Sequence, residues 1–283
     1  MATSSRVYTI DSDGSQSWSS LRELWNYREL VYAFTVRSIR TRYRQSVLGM
    51  GWAIAQPLLQ MVVFNLVFGN LVKIQTDGIP YPIFSYAALV PWTFFANGVT
   101  IGSTALVANR SLVTKMWFPR EAIILSEVGA RLMDFGIGAA IFVGFMAWYQ
   151  VPVTPWLLFI PVLLLVQTVL IVAITLFASA LHVRFRDIAP IVTLGVQVWF
   201  FLSPVVYPLS QLDNREPPVS ELVRTMFMLN PMVGLIEAYR SIIALGQAPN
   251  LEAVGISALV SLVLLAVAYP WFKWRERSFA DII

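Results

Sequence analysis

The sequence contains no cysteine and a single histidine, His182. Without thiols, the chain has no disulfide bonds, thiolate metal sites or cysteine nucleophiles. One histidine provides no partner for a histidine-based metal site or catalytic triad. The phosphate-binding pattern G-x-x-x-x-G-K-[ST] is also absent, so the chain does not bind a nucleotide in the P-loop manner. Any ATP that drives this protein must therefore be bound by another chain.

Charged residues are scarce as well. They make up 13% of the 283 residues, whereas 57% are hydrophobic. Soluble proteins carry about 25% charged residues, so this composition indicates an integral membrane protein. Residues 1–17 are rich in serine and aspartate and lack the apolar core of a secretory signal. We predict a disordered cytoplasmic tail there and one membrane domain over 18–283.

Five long runs contain no formally charged residue. They are 46–72, 78–109, 135–181, 188–212 and 253–272. Because a spanning helix needs about 20 residues, the longest run must hold two spans, separated by a proline-containing turn near residue 152. The prediction is therefore six transmembrane helices in an all-α fold. Sixteen of the 20 lysines and arginines fall on one side of these spans, so the positive-inside rule makes both termini cytoplasmic.

The segment before the first run has the pattern of a helix at the membrane surface. Ser20 and Glu23 form a capping-box pattern, and apolar residues follow at helical spacing. Arginines at 37, 40 and 44 continue towards the first span. We predict an interfacial helix with its aromatic side in the headgroup layer and its arginines on anionic lipid. An ordinary surface helix is the alternative.

Residues 109–134 form a charged island between two uncharged runs. It holds four cations and three acids, which are too costly to place in lipid. A helix over 110–118 would end before Pro119. Its apolar side would consist of Leu112, Val113, Met116 and Trp117. We predict a short amphipathic helix outside the membrane that presses on another protein. Further along the island, Glu127, Arg131 and Asp134 are spaced to pair with one another.

The segment 213–252 is too long for a turn and too polar for a span. It contains two short helical pieces, 219–229 and 232–245. Pieces of about 10 to 14 residues are more often re-entrant or interfacial than spanning. We predict two short helices that dip in from the outer face and cover a pathway. Glu237 and Arg240 are three residues apart, so we expect them to pair and lower the cost of partial burial.

Clustered aromatic residues are the most distinctive feature of the uncharged runs. The clusters comprise Trp92, Phe94, Phe95, Trp199, Phe200, Phe201 and Tyr207. Aromatic faces can stack on sugar rings, so one prediction is that these residues line a channel for a long polar polymer. Packing against lipid, or an interfacial aromatic belt, explains the same residues. The inner parts of the runs hold no carboxylate, which argues against an ion-driven carrier.

Five motifs together resemble one known family. They are RSIRTRYRQSVLGMGWAIAQP at 37–57, NRSLVTKMWFPRE at 109–121, FRDI at 185–188, SPVVYPLS at 203–210 and LNPMVGLIEAYRSIIALG at 229–246. In this order, and on these sides of six spans, they resemble the membrane subunit of type-2 ABC exporters of polysaccharide. That family moves lipid-linked O-antigen, teichoic acid and related glycans. The resemblance covers the chain from residue 21 to its end.

The resemblance implies a homodimer that works with two separate ATP-binding subunits in the bacterial cytoplasmic membrane. ATP and magnesium would be bound by those partners, so no cofactor is expected in this chain. The implied contacts with the ATPase are Asn109, Arg110, Leu112, Lys115, Met116, Trp117, Phe118, Arg184, Arg186 and Asp187. The implied partners for the lipid pyrophosphate are Arg37, Arg40, Arg42 and Arg44. The implied outer gate includes Asn230, Pro231, Glu237 and Arg240.

The function predicted on this basis is export of a lipid-linked polysaccharide from the cytoplasmic to the outer face of the membrane. A type-2 exporter of a small lipid or drug would keep the same architecture. An intramembrane enzyme that modifies glycans or lipids would need a convergent acid, base or metal cluster. The single histidine and the missing carboxylates argue against that third possibility.

Overall fold

The computed structural model describes residues 24–44, 49, 51–76, 78–210 and 220–282. These residues form helices and loops, with no strand among them, so the predicted all-α class is confirmed. The predicted tail at 1–17 and the capping box at 20–23 lie outside the described residues. The helices are α1 (Arg28–Tyr43), α2 (Gly51–Phe64, continued by the π-helical Asn65–Leu71), α3 (Tyr81–Ala108), α4 (Arg110–Lys115), α5 (Glu121–Trp148), α6 (Ile160–Arg184, preceded by the 3-10 turn Pro155–Phe159), α7 (Ile188–Phe201), α8 (Glu221–Leu229), α9 (Pro231–Ile243), α10 (Leu251–Glu276) and α11 (Phe279–Ile282).

Four segments are long and apolar enough to cross a membrane: Ile54–Leu71, Glu121–Trp148, Pro155–Arg184 and Leu251–Glu276. They overlap the first, third, fourth and sixth predicted spans, which makes the chain a multi-pass membrane protein. The segment that overlaps the third predicted span begins at Glu121, within the charged island, and not at the start of the uncharged run at 135. Helix α7 is apolar but has only 14 residues. At 1.5 Å per residue it measures about 21 Å, less than the roughly 30 Å of a hydrocarbon core. The full set of six spans stays a prediction.

Helix α3, in the second predicted span, lies at the centre of the bundle. It is 28 residues long, carries no charge and buries 19 of its residues. It packs on α5, α6, α7 and α9. Gly98 and Gly102 let α6 approach closely, because a Cβ atom on Gly98 would lie 2.8 Å from Ile171 Cγ2. A Cβ on Gly102 would lie 2.6 Å from Thr175 Cγ2. This GxxxG step therefore packs two helices within one chain.

The fifth predicted span does not form one continuous helix. Run 188–212 was expected to cross as a unit, but α7 ends at Phe201. The chain then enters the protein, and residues 203–206 and 208 are buried. Prolines at 204 and 208 explain the break, since proline lacks the amide that a continuing helix needs. We refer to residues 202–208 as the buried loop.

The two short helices predicted before the last span are present as α8 and α9. Asn230 separates them and caps α9 by accepting a hydrogen bond from Met232 N at 3.0 Å. Ten of the 13 residues of α9 are buried, and α9 packs on α3, α6 and α10. A helix of this length that is enclosed by longer apolar helices fits the predicted re-entrant geometry. Its depth in a membrane stays a prediction.

Helix α1 lies along α5. Ser38 Oγ donates a hydrogen bond to Glu127 Oε2 at 2.8 Å, and Phe34 packs edge-on against Phe118 with ring centroids 5.7 Å apart. On the other side of the helix, Tyr32 is 72% exposed. This division gives α1 one face for protein and one for solvent or lipid. The interfacial location itself stays a prediction.

Candidate functional site

The charged island contains a shorter helix than its sequence suggested. Helix α4 covers Arg110–Lys115 and ends there, because Met116 adopts an extended conformation with φ −131° and ψ 140°. The predicted helix over 110–118 is therefore three residues too long. Residues 116–118 instead form an extended connection that leads to Pro119 and the start of α5.

This connection divides the predicted ATPase contacts into exposed and buried ones. Met116 is 53% exposed and Trp117 is 66% exposed, and Arg110 and Lys115 are exposed beside them. Phe118 is only 5% exposed and belongs to a buried cluster with Val113. Its assignment as a contact of the ATPase is wrong for this conformation, because its ring packs inside the chain on α1. We call residues 110–117 the coupling tip.

The base of the coupling tip is fixed to the end of α10. Lys273 Nζ lies 2.6 Å from Glu121 Oε1 and 2.8 Å from Glu276 Oε2. The backbone amide of Arg120 donates to Glu276 Oε1 at 3.1 Å, and Arg120 Nη1 donates to the Glu276 carbonyl at 2.6 Å. Tyr269 adds a hydrogen bond to Glu121 Oε1 at 3.3 Å. Because Glu121 is 2% exposed, these bonds hold a nearly desolvated carboxylate.

The second predicted ATPase contact lies at the turn between α6 and α7. Arg184, Arg186 and Asp187 are all exposed there, and the Arg184 guanidinium lies 5.5 Å from the ring of Phe185. Helix α11 contacts both α4 and α6. The structure therefore brings the coupling tip and the α6–α7 turn to the same end of the molecule, although 70 or so residues separate them.

The seam between α1 and α5 holds a network of charges. Arg131 lies 3.6 Å from Glu127 Oε2 and 3.5 Å from Asp134 Oδ2, which confirms the predicted pairing within α5. Helix α1 adds an ion pair from Arg42 to Asp134 and a hydrogen bond of 2.6 Å from the Tyr43 hydroxyl to Asp134 Oδ1. Burial, together with the Asp134 carboxylate, raises the pKa of Tyr43, which keeps its hydroxyl protonated as a donor.

Two adjoining cavities lie along this seam. One, of about 340 Å³, is lined by Arg42, Tyr43, Gln56, Asn97, Arg131 and Asp134, among others. The other, of about 410 Å³, extends towards the coupling tip and is lined by Arg37, Ser38, Arg42, Asn109, Glu127 and Arg131, among others. Arg42 and Arg131 line both cavities. Of the four arginines predicted to meet a pyrophosphate, Arg37 and Arg42 line a cavity, whereas Arg40 and Arg44 line neither of these two cavities.

Three of the seven predicted channel aromatics are buried core residues. Trp92, Phe94 and Phe95 on α3 are at most 5% exposed, and Phe95 stacks edge-on against Trp199 with centroids 5.0 Å apart. The prediction that these three α3 residues line a channel is wrong, because neighbouring helices cover them. Trp199, Phe200 and Tyr207 are partly buried, and Phe201 is 66% exposed.

Arg240 on α9 is the most deeply buried cation among the described residues. It is 2% exposed, and its Nη1 donates to Glu237 Oε1 at 2.8 Å, which confirms the predicted pair. Nη2 donates to the carbonyl of Val205 at 2.7 Å, and the guanidinium carbon lies 3.7 Å from the ring centroid of Phe84. Arg240 thus joins α9 to the buried loop and to α3.

Asn230 makes a second connection between α9 and the buried loop. Its Oδ1 accepts from Trp199 Nε1 at 2.8 Å, and its Nδ2 donates to the carbonyl of Leu202 at 3.0 Å and to Ser203 Oγ at 3.2 Å. We refer to Arg240 and Asn230, with these partners, as the outer clamp. The sequence predicted the pair of Glu237 and Arg240 within α9. No pattern in the sequence indicated the bonds that Arg240 and Asn230 make to the buried loop.

Within the part of the chain that the structure describes, no group of three or more His, Cys, Asp or Glu side chains could hold a metal ion. The polar clusters lie at the ends of apolar helices, and a short cationic tip projects at one end. These features define a membrane transport subunit that couples to something outside itself. The chain belongs to the family described as ABC-2 type transporter, which matches residues 29–244.

Comparison with individual proteins extends the match over nearly the whole chain. The O-antigen export system permease protein RfbA of Myxococcus xanthus is 35% identical over 266 residues, which cover 93% of this chain and 98% of that protein. The protein of the same name from Klebsiella pneumoniae is 27% identical, with 90% and 95% covered. The polysialic acid transport protein KpsM of Escherichia coli is 22% identical, with 88% and 94% covered. The family resemblance drawn from the motifs is confirmed, and the chain is a transport subunit and not an enzyme.

Proposed function

We propose that this chain forms the channel of an ATP-driven exporter that moves a lipid-linked polysaccharide across the bacterial cytoplasmic membrane. Two copies would form the channel with two copies of an ATP-binding subunit. The observation that carries the proposal is the 35% identity over 98% of an O-antigen export permease. A glycan of the O-antigen type is accordingly the first candidate cargo, with polysialic or teichoic acid as related possibilities.

The proposed topology has six passes and cytoplasmic termini. Helices α2, α3, α5, α6 and α10 provide five passes, and α7 with the buried loop provides the remaining one. The coupling tip, the α6–α7 turn and α11 lie together at one end, which supports a common cytoplasmic face. Because α7 is short for a full crossing, the buried loop would lie at the depth of the membrane, shielded by α3 and α9.

The proposed coupling surface is the coupling tip with the α6–α7 turn. Exposed Met116 and Trp117 offer an apolar anchor, and exposed Arg110, Lys115 and Arg184 surround it with positive charge. Large aromatic and flexible side chains of this kind carry much of the binding energy in protein interfaces. Nucleotide binding would change the channel only to the extent that the partner's two conformations hold this surface differently.

The proposed outer gate consists of α8, α9 and the buried loop. The outer clamp supports this assignment, since Arg240 and Asn230 connect α9 to the loop through four hydrogen bonds, with acceptors in residues 202, 203, 205 and 207. Export of a thick polymer requires these elements to move apart from the partner copy, either together as one clamped unit or after the clamp breaks.

An exporter of a small lipid or drug remains the second candidate, because one argument for a polymer cargo is lost. The α3 aromatics are covered inside the chain, so stacking of sugars on them no longer supports a polymer channel. The two candidates differ in the length of cargo that must fit between the two copies.

The test is functional replacement followed by biochemistry on the purified complex. Deletion of the gene should leave lipid-linked glycan on the cytoplasmic side of the membrane, and the wild-type chain should restore its appearance outside. The chain should co-purify with an ATP-binding protein whose ATPase rate rises with lipid-linked polymer and not with a short lipid. A purified chain that transports without any such partner would contradict the proposal, and stimulation by a short lipid alone would favour the second candidate.

A further inference from the structure

A third cavity, of about 230 Å³, lies between α3, α5, α6 and α9. Its walls include Tyr86, Ala139, Phe142, Met146, Ile160 and Tyr239, and no charged residue is among the described residues that line it. Val143 also lines it and is 64% exposed, so the cavity reaches the outer surface of α5. Helix α5 is long and apolar enough to cross a membrane, so in the proposed topology this exposed surface would face hydrocarbon.

The apolar cavity adjoins the 340 Å³ cavity where α3 packs against α5. Val90 of α3 lines both cavities, and the consecutive residues Gly138 and Ala139 of α5 line one each. A Cβ atom on Gly138 would lie 3.1 Å from Val90 Cγ1, so the glycine lets the two helices pack closely at this point. The seam between α3 and α5 thus has a polar chamber and an apolar chamber that meet near Val90 and Gly138.

The polar chamber has the charge expected for binding an anion. With the 410 Å³ cavity beside it, its walls include the guanidinium groups of Arg37, Arg42 and Arg131 and the carboxylates of Glu127 and Asp134. Three cations against two carboxylates leave a net positive charge. Arginine is the side chain best matched to phosphate oxygens, through paired hydrogen bonds.

We propose that the apolar cavity binds part of the hydrocarbon chain of the carrier lipid while the arginine-lined cavities bind its phosphorylated head. This inference rests on the proposed function and identifies the carrier, and not the glycan, as what the α3–α5 seam recognises. A volume of about 230 Å³ is below the roughly 300 Å³ at which complete small-molecule pockets begin. The cavity would therefore hold the segment of chain next to the head, with the rest in the bilayer.

The test uses the complete complex with its ATP-binding partner in lipid nanodiscs and a polyprenyl phosphate that carries a photoreactive group in the hydrocarbon chain. We expect labelling of α5 around residues 139–146. Ala139→Phe fills the cavity and should reduce the labelling about tenfold, which corresponds to about 1.4 kcal/mol of binding. Ala140→Phe makes the same change at the next position, which is exposed and lines none of the three cavities, so labelling should be unchanged.

A second variant keeps the test valid if Ala139→Phe does not fold. Val143→Trp enlarges an exposed side chain at the mouth of the cavity and should also reduce the labelling. Phosphatidylglycerol that displaces the probe as well as unlabelled polyprenyl phosphate does would overturn the proposal, because the cavity would then be a general lipid site. Labelling at other helices, with export intact, would also overturn it and leave the proposed function standing. Loss of both labelling and glycan export in the wild-type complex would instead refute the proposed function.

Discussion

Removal of the Arg240 side chain should release the buried loop from α9. In Arg240→Met the replacement is apolar and unbranched, but the bonds to Val205 and Glu237 and the contact with Phe84 are all lost. Breaking a buried ion pair costs about 3–5 kcal/mol. Glu237 retains 31% side-chain exposure and can be rehydrated, so we take the lower value, about 3 kcal/mol. That energy corresponds to an increase of about 100-fold in the population with the loop detached.

The absence of cysteine makes this increase measurable. A Val205→Cys substitution introduces the sole thiol of the chain at a position that is 0% exposed. Its rate of reaction with a membrane-impermeant maleimide added from outside should report how often the loop detaches. We expect Arg240→Met to raise this rate about 100-fold at unchanged temperature and pH. The matched control is Arg277→Met, which removes an exposed arginine at the far end of α10 from the buried loop and should leave the rate unchanged.

The size of the increase in the maleimide reaction rate shows how much the bonds of Arg240 stabilise the attachment of the buried loop to α9. A rate that rises less than about threefold in a folded Arg240→Met complex would mean that the bonds of Arg240 contribute under 1 kcal/mol, and the reasoning above would be refuted. A Glu237→Gln variant gives a second rate with which the effect of Arg240→Met can be compared. It keeps the guanidinium bonds to the loop and disturbs only the partly exposed pair, so its effect should stay below about tenfold.

Three further substitutions test other parts of the structure. Trp117→Ala should lower glycan-stimulated ATPase activity about tenfold without changing the Tm of the purified chain, whereas Trp148→Ala, at the exposed far end of α5, should change neither. Phe118→Ala should reduce the free energy of unfolding by about 3–5 kcal/mol, so folded protein should be lost, and a stable but uncoupled variant would contradict its burial. Gly102→Val should abolish accumulation of folded chain, since its Cβ would meet α6 at 2.6 Å, while Gly136→Val, with nothing within 4 Å, should accumulate normally on a quantitative blot.

Local sequence patterns predicted the local structure well. The uncharged runs identified the four apolar spans, and the break at Asn230 separated α8 from α9 with errors of two residues or fewer at each end. Pairs at helical spacing, such as Glu237 with Arg240, formed as expected because one turn of helix brings them together. In each case the relevant information lies within a few residues along the chain.

Contacts between distant segments could not be predicted in this way. Arg42 pairs with Asp134, and Lys273 with Glu121, across 92 and 152 residues of sequence. Hydropathy also failed to show which aromatic residues pack against other helices. An uncharged run contains aromatic residues whether they face lipid, a channel or a neighbouring helix. Phe95 was therefore assigned to a channel, although α7 covers it. One sequence does not contain the helix packing that decides between these environments.

Helix α10 offers a physical route between the coupling tip and the outer gate. It runs unbroken for 26 residues, about 39 Å. Near its end, Lys273 is bound to Glu121 at the base of the coupling tip. Near its start it touches α9, where a Cβ atom on Gly234 would lie 2.6 Å from the Ala253 carbonyl. Gly234 thus lets the backbones of α9 and α10 lie in close contact. Helix α10 therefore connects the base of the coupling tip with α9, which the outer clamp joins to the buried loop.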